Sequence, residues 1–120
     1  VRLYDATEIP ENTTDRNALI ALYNATDGAN WQNTWDLNES MIYWDGVTQN
    51  DNGRVTKIKL RANNVIGYLP PELGNLEELQ ILDLTKTGFT GQLANNISGT
   101  IPPEIGNLNK LKAFLHNLEI

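Results

Sequence analysis

The sequence feature that most constrains the fold is an apolar pattern that recurs every 24 residues. Moving the chain forward by that distance places Leu79, Leu82, Leu84, Phe89, Gly91 and Leu93 on Val55, Ile58, Leu60, Val65, Gly67 and Leu69. A fixed period of this size indicates a solenoid, because each unit leaves an apolar face open that only a stacked neighbour can bury. We therefore expect the chain of 120 residues to consist of stacked units.

Within one unit, the spacing predicts a short strand followed by an irregular return segment. Ile58 and Leu60 alternate with Lys57, Lys59 and Arg61, which is the pattern of a strand with one buried face. A Pro-Pro pair in the middle of the unit argues against a helix or a central strand there, because proline lacks a backbone N–H and fixes φ. The return segment is therefore predicted to be irregular or 3₁₀-helical.

The same residues resemble the plant-type leucine-rich repeat (LRR). The family pattern LxxLxLxxNxLxGxIPxxLGxLxx is matched once in full by residues 55–78, and its later part reappears in residues 95–108. The resemblance implies an α/β fold, namely a leucine-rich repeat solenoid with short parallel strands on its concave face and irregular or 3₁₀ return segments. It also implies a module for recognition.

Residues 1–54 are expected to form an N-terminal cap that begins with an extended arm, and residues 55–120 hold the repeats. From about Thr14 to Arg54 the chain resembles the cap that precedes plant-type repeats. A helix is predicted to open at Thr14, with Thr14 or Asp15 as its N-cap, and to end before Gly28. An Asn-Gly pair late in the cap predicts a tight hairpin that leads into the first repeat.

The middle of this cap is rich in tryptophan. Trp31, Trp35 and Trp44 are predicted to form an aromatic core that covers the first repeat, because each indole buries a large apolar area. Ile42 and Gln49 stand where the plant cap usually carries two cysteines, and the chain contains no cysteine. In this respect it is similar to the cysteine-free caps of plant-like repeat proteins in protists, algae and bacteria.

The second repeat departs from the 24-residue period. The motif that begins at Asn95 is out of step, so either eight extra residues enlarge one repeat or sixteen are missing. The segment from Leu93 to Ile97 lacks the apolar spacing of a strand, which favours one enlarged repeat. We expect a surface bulge at residues 92–98, followed by an incomplete third repeat. The sequence alone leaves the truncated alternative open.

Composition and motifs argue against several classes of function. The net charge is −6, and most acidic residues precede residue 54, which disfavours binding to nucleic-acid phosphates. No apolar run is long enough to span a membrane. Phosphate loops, cysteine pairs and zinc motifs are absent, and His116, the single histidine, has no catalytic partner at a meaningful spacing. We expect no enzyme activity, no cofactor and no metal.

Four sequons are present, and each would accept an N-linked glycan if the chain were secreted by a eukaryote. They lie at Asn12, Asn24, Asn38 and Asn96. A chain this rich in asparagine and threonine also produces sequons by chance, so both interpretations stay open. We expect an extracellular or cell-surface location in preference to the cytoplasm.

The outward strand face is the remaining candidate for function. Stacking would set Lys57, Lys59 and Arg61 of one rung beside Ile81, Asp83 and Thr85 of the next. Three cations in this position could bind an acidic peptide or protein. Alternatively, they only solvate the strand and pair with the acidic cap or with Asp83.

Two other functions stay open. Residues 111–120 would leave an apolar edge exposed, which could assemble copies of the chain or dock a further domain. The chain could instead be the sensor portion of a larger enzyme, such as a receptor kinase or a GTPase.

Overall fold

The computed structural model describes residues 10–88 and 91–116. In chain order, its regular elements are helix α1 (Thr13–Ala25) and strands β1 (Val47–Gln49), β2 (Val55–Lys59), β3 (Ile66–Tyr68), β4 (Ile81–Asp83), β5 (Asn96–Ser98) and β6 (Ala113–Leu115). Short 3₁₀ turns span Gly28–Asn30, Met41–Tyr43, Pro71–Asn75 and Pro103–Asn107.

Four of the strands form one sheet in the order β1, β2, β4, β6. Strand β1 pairs antiparallel to β2, whereas β2, β4 and β6 run parallel. Lys57 lies beside Ile81, and Ile81 lies beside Ala113. The predicted solenoid of adjacent parallel rungs is therefore confirmed.

The return segments contain the predicted 3₁₀ turns, but also two short strands that the sequence did not predict. Strands β3 and β5 form a second parallel pair, with Ile66 beside Asn96. A 3₁₀ turn that begins at a Pro-Pro pair follows each of them, at Pro71–Asn75 and at Pro103–Asn107. Proline is tolerated there because its missing N–H falls at the start of the turn, where no internal partner exists.

The N-cap of α1 differs from the prediction. The Asn12 side chain caps the helix by accepting a hydrogen bond from the backbone N–H of Asp15 at 2.9 Å, so neither Thr14 nor Asp15 is the cap. Asp15 has another role, because its buried carboxylate accepts hydrogen bonds from the Val55 N–H and from Arg54 Nε, both at 2.9 Å. These contacts tie α1 to the start of the first repeat.

The three tryptophans form the predicted aromatic core. Trp35 stacks on Trp44 with ring centroids 4.9 Å apart, and Trp31 meets Trp35 edge-on at 4.8 Å. Each indole N–H donates to a backbone carbonyl: those of Trp31, Trp35 and Trp44 bond to Thr26, Asp45 and Asp36. Large aromatics are therefore buried here without an unpaired donor.

A hydrogen-bonded carboxylate closes the outer side of this aromatic core. Glu11 accepts hydrogen bonds from Ser40 Oγ at 2.7 Å and from the Met41 N–H at 2.8 Å, and it pairs with Arg16 at 2.6 Å. Burial alone would raise the pKa of Glu11, but the bonds from Ser40, Met41 and Arg16 outweigh it and lower the pKa below its ordinary value. The guanidinium of Arg16 also lies 4.6 Å from the centre of the Trp44 ring.

Hydrogen bonds close the hairpin at one of the places where the plant cap usually carries cysteines. The side-chain amide of Gln49 donates to the carbonyl of Gly53 at 2.9 Å. Gly53 adopts φ +78° in the hairpin turn, as the Asn-Gly pair predicts, but Asn52 does not, and residues 50–54 make the connection longer than the expected tight turn. A Cβ at this position would lie 1.8 Å from the Pro10 carbonyl oxygen, so glycine also permits the close approach of the chain's earlier segment.

The second repeat is enlarged, as the sequence favoured, but the extra residues lie elsewhere. Strands β2 and β4 are offset by 24 residues (Lys57 to Ile81), and β4 and β6 by 32 (Ile81 to Ala113). The backbone N–H of Asn95 donates to the Lys86 carbonyl at 2.9 Å, which closes the chain around residues 87–94. The eight extra residues are these, and we call them the insertion loop.

The expected bulge at residues 92–98 is therefore wrong in position. Residues 96–98 form the regular strand β5, and Leu93 is 49% exposed, whereas Leu69, on which it was aligned, is 4% exposed. Phe89, another residue of that alignment, lies outside the described residues.

Two buried asparagines, one in each repeat, occupy equivalent positions on either side of this loop. Asn95 lies 32 residues after Asn63, and both are buried. Its side chain accepts hydrogen bonds from the N–H groups of Asn63 and Val65, both at 2.8 Å, and donates to the Leu60 carbonyl at 2.7 Å. Asn63 makes equivalent bonds to the backbone of Asn33 in the cap.

Candidate recognition face

The outward side chains of the main sheet form one continuous face. Along β2 and the residues after it, Ile58 and Leu60 are buried, whereas Lys59 and Arg61 are exposed and Lys57 is half-buried. The register places Lys57 beside Ile81 and Lys59 beside Asp83. The sequence predicted both neighbours, because the 24-residue offset holds between these two strands.

Arg61 lies beyond the end of β2, but the ladder continues to it. The Leu60 N–H donates to the Asp83 carbonyl at 2.8 Å, and the Ala62 N–H donates to the Thr85 carbonyl at 2.9 Å. Arg61 is therefore beside Thr85, as predicted. Its Nε donates to the Thr87 carbonyl at 3.0 Å, which attaches the side chain to the start of the insertion loop.

No ion pair neutralises the cations of this face within residues 10–88 and 91–116. The ion pairs found in those ranges join Arg54 to Asp15 and Glu77, Arg16 to Glu11, and Lys110 to Glu78. Asp83 instead accepts hydrogen bonds from the Thr85 N–H and hydroxyl, at 3.0 and 2.6 Å. The alternative in which the cations pair with the cap or with Asp83 therefore finds no contact to support it.

The face extends further than the sequence indicated. On the third rung, Ala113 lies beside Ile81 and Leu115 lies beside Asp83, and Leu115 is 48% exposed. On the other side, Thr48 of β1 lies beside Lys57 and is exposed. Ala113 and Leu115 were not predicted, because they lie 32 residues, and not 24, after their neighbours Ile81 and Asp83. Only the LxxL spacing of Leu108 and Leu111 could have located this strand.

Neither a metal-binding cluster nor a membrane-spanning helix is found in the described part of the chain. No group of three or more metal-ligating side chains lies together among those residues. The described helix is neither long enough nor apolar enough to cross a bilayer. His116 packs against Phe114, with ring centroids 4.5 Å apart.

Known proteins of similar sequence indicate the family of this chain. No family model matches the chain. Leucine-rich repeat protein 1 of Arabidopsis thaliana is 42% identical over 78 residues, which cover 63% of this chain and 36% of that protein. A probable leucine-rich repeat receptor-like protein kinase of the same plant is 37% identical over 81 residues, which cover 56% of this chain and 9% of the kinase. This is a plant-type leucine-rich repeat chain.

Solved structures agree with that assignment of the leucine-rich repeat chain. A plant ice-binding protein superposes with a TM-score of 0.72 and 26% identity, over 88% of this chain and 33% of the other. A chain of the PEPR1–AtPEP1 structure superposes with a TM-score of 0.65 and 30% identity, over 86% of this chain and 15% of the other. The leucine-rich repeat chain spans about a third or less of these relatives.

Proposed function

We propose that this leucine-rich repeat chain is a non-enzymatic recognition module that binds an acidic peptide or protein segment on its concave strand face. The observation that carries the proposal is the first rung, where Lys57, Lys59 and Arg61 point outward and form no ion pair with any carboxylate of the described residues. Ile81 and Leu115 on the next rungs add apolar contact area. Cations beside apolar surface suit an acidic segment that also carries apolar side chains.

The comparisons support this proposal at the level of the family. The PEPR1–AtPEP1 structure holds two named components, and the repeat chain within it shares the fold described here. Similarity to a receptor-like protein kinase supports an extracellular or cell-surface location for this chain. The same relative is compatible with the alternative that this chain is the sensor portion of a receptor kinase or a GTPase. The full reading frame would test that alternative, because a kinase or GTPase domain would follow the repeats.

A peptide array of fixed length and graded net charge tests the proposal. Charge reversal by Lys57→Glu with Lys59→Glu should lower capture of the acidic peptides by about tenfold or more, because each exposed charge contact contributes about 0.2–1 kcal/mol and reversal adds repulsion. Binding to the unchanged chain should also weaken with salt, since exposed charges are screened.

The matched control reverses two cations outside the face. Lys110→Glu with Lys112→Glu changes the net charge by the same amount, and neither residue belongs to the alternating outward positions of β2, β4 and β6. Capture should be retained in this variant. Equal losses in both double variants would show that only net charge matters, and the concave face would then lose its role.

A second candidate function rests on strand β6. It is the last strand of the described sheet, and its Leu115 is 48% exposed while Phe114 is partly buried. An apolar edge of this kind can assemble copies of the chain. Light scattering over a range of concentrations separates the two functions, because a mass that rises with concentration and falls in Leu115→Lys supports assembly.

Ice binding is a further class of function, named for one of the matched structures. A surface that binds a crystal lattice needs a repeated array, but the three rungs here present Lys57, Ile81 and Ala113 in one row. The concave rows do not repeat, so peptide recognition accounts for them better.

A further inference from the structure

A groove lies on the other side of the molecule, away from the concave face. Its volume is about 420 Å³, which lies within the range of small-ligand pockets, roughly 300–1,000 Å³. One wall is the outer side of α1, including Ile20 and Asn24, and the other contains Tyr68, Pro71 and Glu72. The candidate functions above make no use of it.

The local fold explains why the two walls meet. The Ile66 N–H donates to the Thr26 carbonyl at 3.2 Å, so β3 docks directly on the end of α1. Gly67 permits this contact, because a Cβ there would lie 2.1 Å from the Ala25 carbonyl oxygen. Tyr68 follows immediately and stands over the groove, with 57% of its surface exposed.

The groove has a distinct chemistry. Tyr68 and Pro71 offer exposed apolar ring faces, and Glu72 is its single charged residue. Asn24 is exposed at the rim and belongs to the sequon Asn24-Ala25-Thr26. A neutral ligand with one apolar face and several hydroxyl groups would match both the ring faces and the polar rim.

We propose that Asn24 carries an N-linked glycan whose first N-acetylglucosamine packs in this groove against Tyr68. The C–H face of the sugar would lie on the aromatic ring, and its hydroxyl groups would reach the polar atoms of Glu72 and Asn17. The inference rests on the proposed extracellular location, but it is independent of the concave face. Attachment at the rim also removes the entropy cost of bringing the sugar to the groove.

The other three sequons lack such a receptacle. The side-chain oxygen of Asn12 caps α1. Asn96 lies within β5, and Asn38 is exposed in the loop that follows Trp35. Within the described residues, none of these three lines the groove.

The experiment uses the whole chain, secreted from insect cells and trimmed enzymatically to a single N-acetylglucosamine per site. Peptide mapping by mass spectrometry should find Asn24 occupied. The trimmed protein should melt about 3 °C higher than Asn24→Gln, in line with a small stabilising contact in a domain of this size. Tyr68→Ala should still fold, because the Tyr68 side chain is exposed. In that background, the trimmed protein and Asn24→Gln should have the same melting temperature.

Asn38→Gln is the matched control, because it removes one sugar from an exposed loop and should leave the melting temperature unchanged. An unoccupied Asn24 overturns the proposal. Equal melting temperatures for the trimmed protein and Asn24→Gln overturn it as well, as does a difference that survives Tyr68→Ala. None of these results would bear on peptide capture by Lys57 and Lys59, so the two proposals fail separately.

Discussion

The two repeats share one motif but differ in how deeply they are buried. In the first repeat, Leu69, Leu73 and Leu76 are at most 4% exposed, because the cap covers one side and the second repeat covers the other. In the second repeat, Ile101 is only partly buried and Ile105 is 8% exposed. The same consensus position therefore contributes different amounts of burial in the two places.

The difference shows that burial in a solenoid depends on the neighbours of a repeat as much as on its own residues. On the strand side, Leu79, Leu82 and Leu84 of the second repeat are fully buried, like their counterparts in the first. Only the return side of the second repeat is less covered. A pattern of leucines thus predicts which residues face inward, while the stack decides how much each contributes to stability.

The largest effect is expected at the asparagine that joins the repeats. Asn95→Ala removes the partners of the Asn63 and Val65 N–H groups and of the Leu60 carbonyl, all buried. Because each unsatisfied buried group costs about 1–3 kcal/mol, the free energy of unfolding should fall by about 3 kcal/mol or more. Urea unfolding measures it. The neighbouring exposed Asn96→Ala is the control and should change little, and equal effects would refute the bridging role.

A pair of core truncations tests the burial difference directly. Leu73→Ala should cost about 3 kcal/mol, within the usual range for a fully buried leucine, because both neighbours of the first repeat hold the cavity open. Ile105→Ala, at the equivalent place in the second repeat, should cost about 1 kcal/mol less, since solvent and side-chain movement relieve part of the loss. Thermal and urea unfolding of both variants would decide it, and the reverse order would contradict the comparison.

The carboxylates that flank the two repeats should respond differently to acid. The lowered pKa of Glu11 means that the unfolded chain takes up a proton first as pH falls. Its contribution is therefore complete above the ordinary glutamate pKa of about 4.3 and is lost as pH falls through the lower native value. Glu11→Gln should reduce the loss of stability between about pH 6 and pH 3.

Glu78 provides the contrast. Its hydrogen bond with Lys110 lowers the pKa of Glu78 as well, but this carboxylate lies in a surface ion pair that joins the end of the first repeat to the second. Solvent screens such pairs, so Glu78→Gln should follow the unchanged chain closely at every pH. If Glu78→Gln altered the acid response more than Glu11→Gln, the cap network would not be the stronger of the two.

The smallest effect is expected from excision of the insertion loop. Joining Lys86 to Asn95 removes residues 87–94 and restores a 24-residue spacing between Asn63 and the next ladder asparagine. Loop length changes closure entropy only slowly, and the excision removes a few hydrogen bonds, including those of Leu93 with Asn64 and Gln32. The stability should therefore fall by only about 1 kcal/mol. Circular dichroism with thermal unfolding checks it. A loss of several kcal/mol would mean that the loop contributes to the core.

Much of the fold could be predicted because the strand side of each repeat follows a strict spacing. The offset between Ile58 and Leu82 put the first two rungs in the correct register, and the Pro-Pro pairs located the return turns. The insertion was placed wrongly because Gly91 and Leu93 match the glycine and leucine of the motif by letter alone. Only the hydrogen bonds of Asn95 show where the regular pattern resumes.

The candidate site was predictable to the same extent. Lys57 and Lys59 follow from strand alternation, whereas the third rung could be placed only once the 32-residue offset was known. The helix cap was misplaced for a related reason, since Thr14 and Asp15 are also good capping residues and nothing local favours Asn12 over them. Asp15 is instead paired with Arg54, which lies far along the chain.

The hydrogen bond between Lys86 and Asn95 makes the insertion loop a suitable site for inserting a foreign peptide. This bond already holds the two ends of the loop together, so a grafted epitope or affinity tag would enter and leave the scaffold at fixed points. Arg61 contacts Thr87, the first residue of the insertion loop, so such a graft would lie next to the rung that carries Lys57, Lys59 and Arg61. Libraries inserted there would therefore present new side chains beside the concave strand face while leaving the stacked framework unchanged.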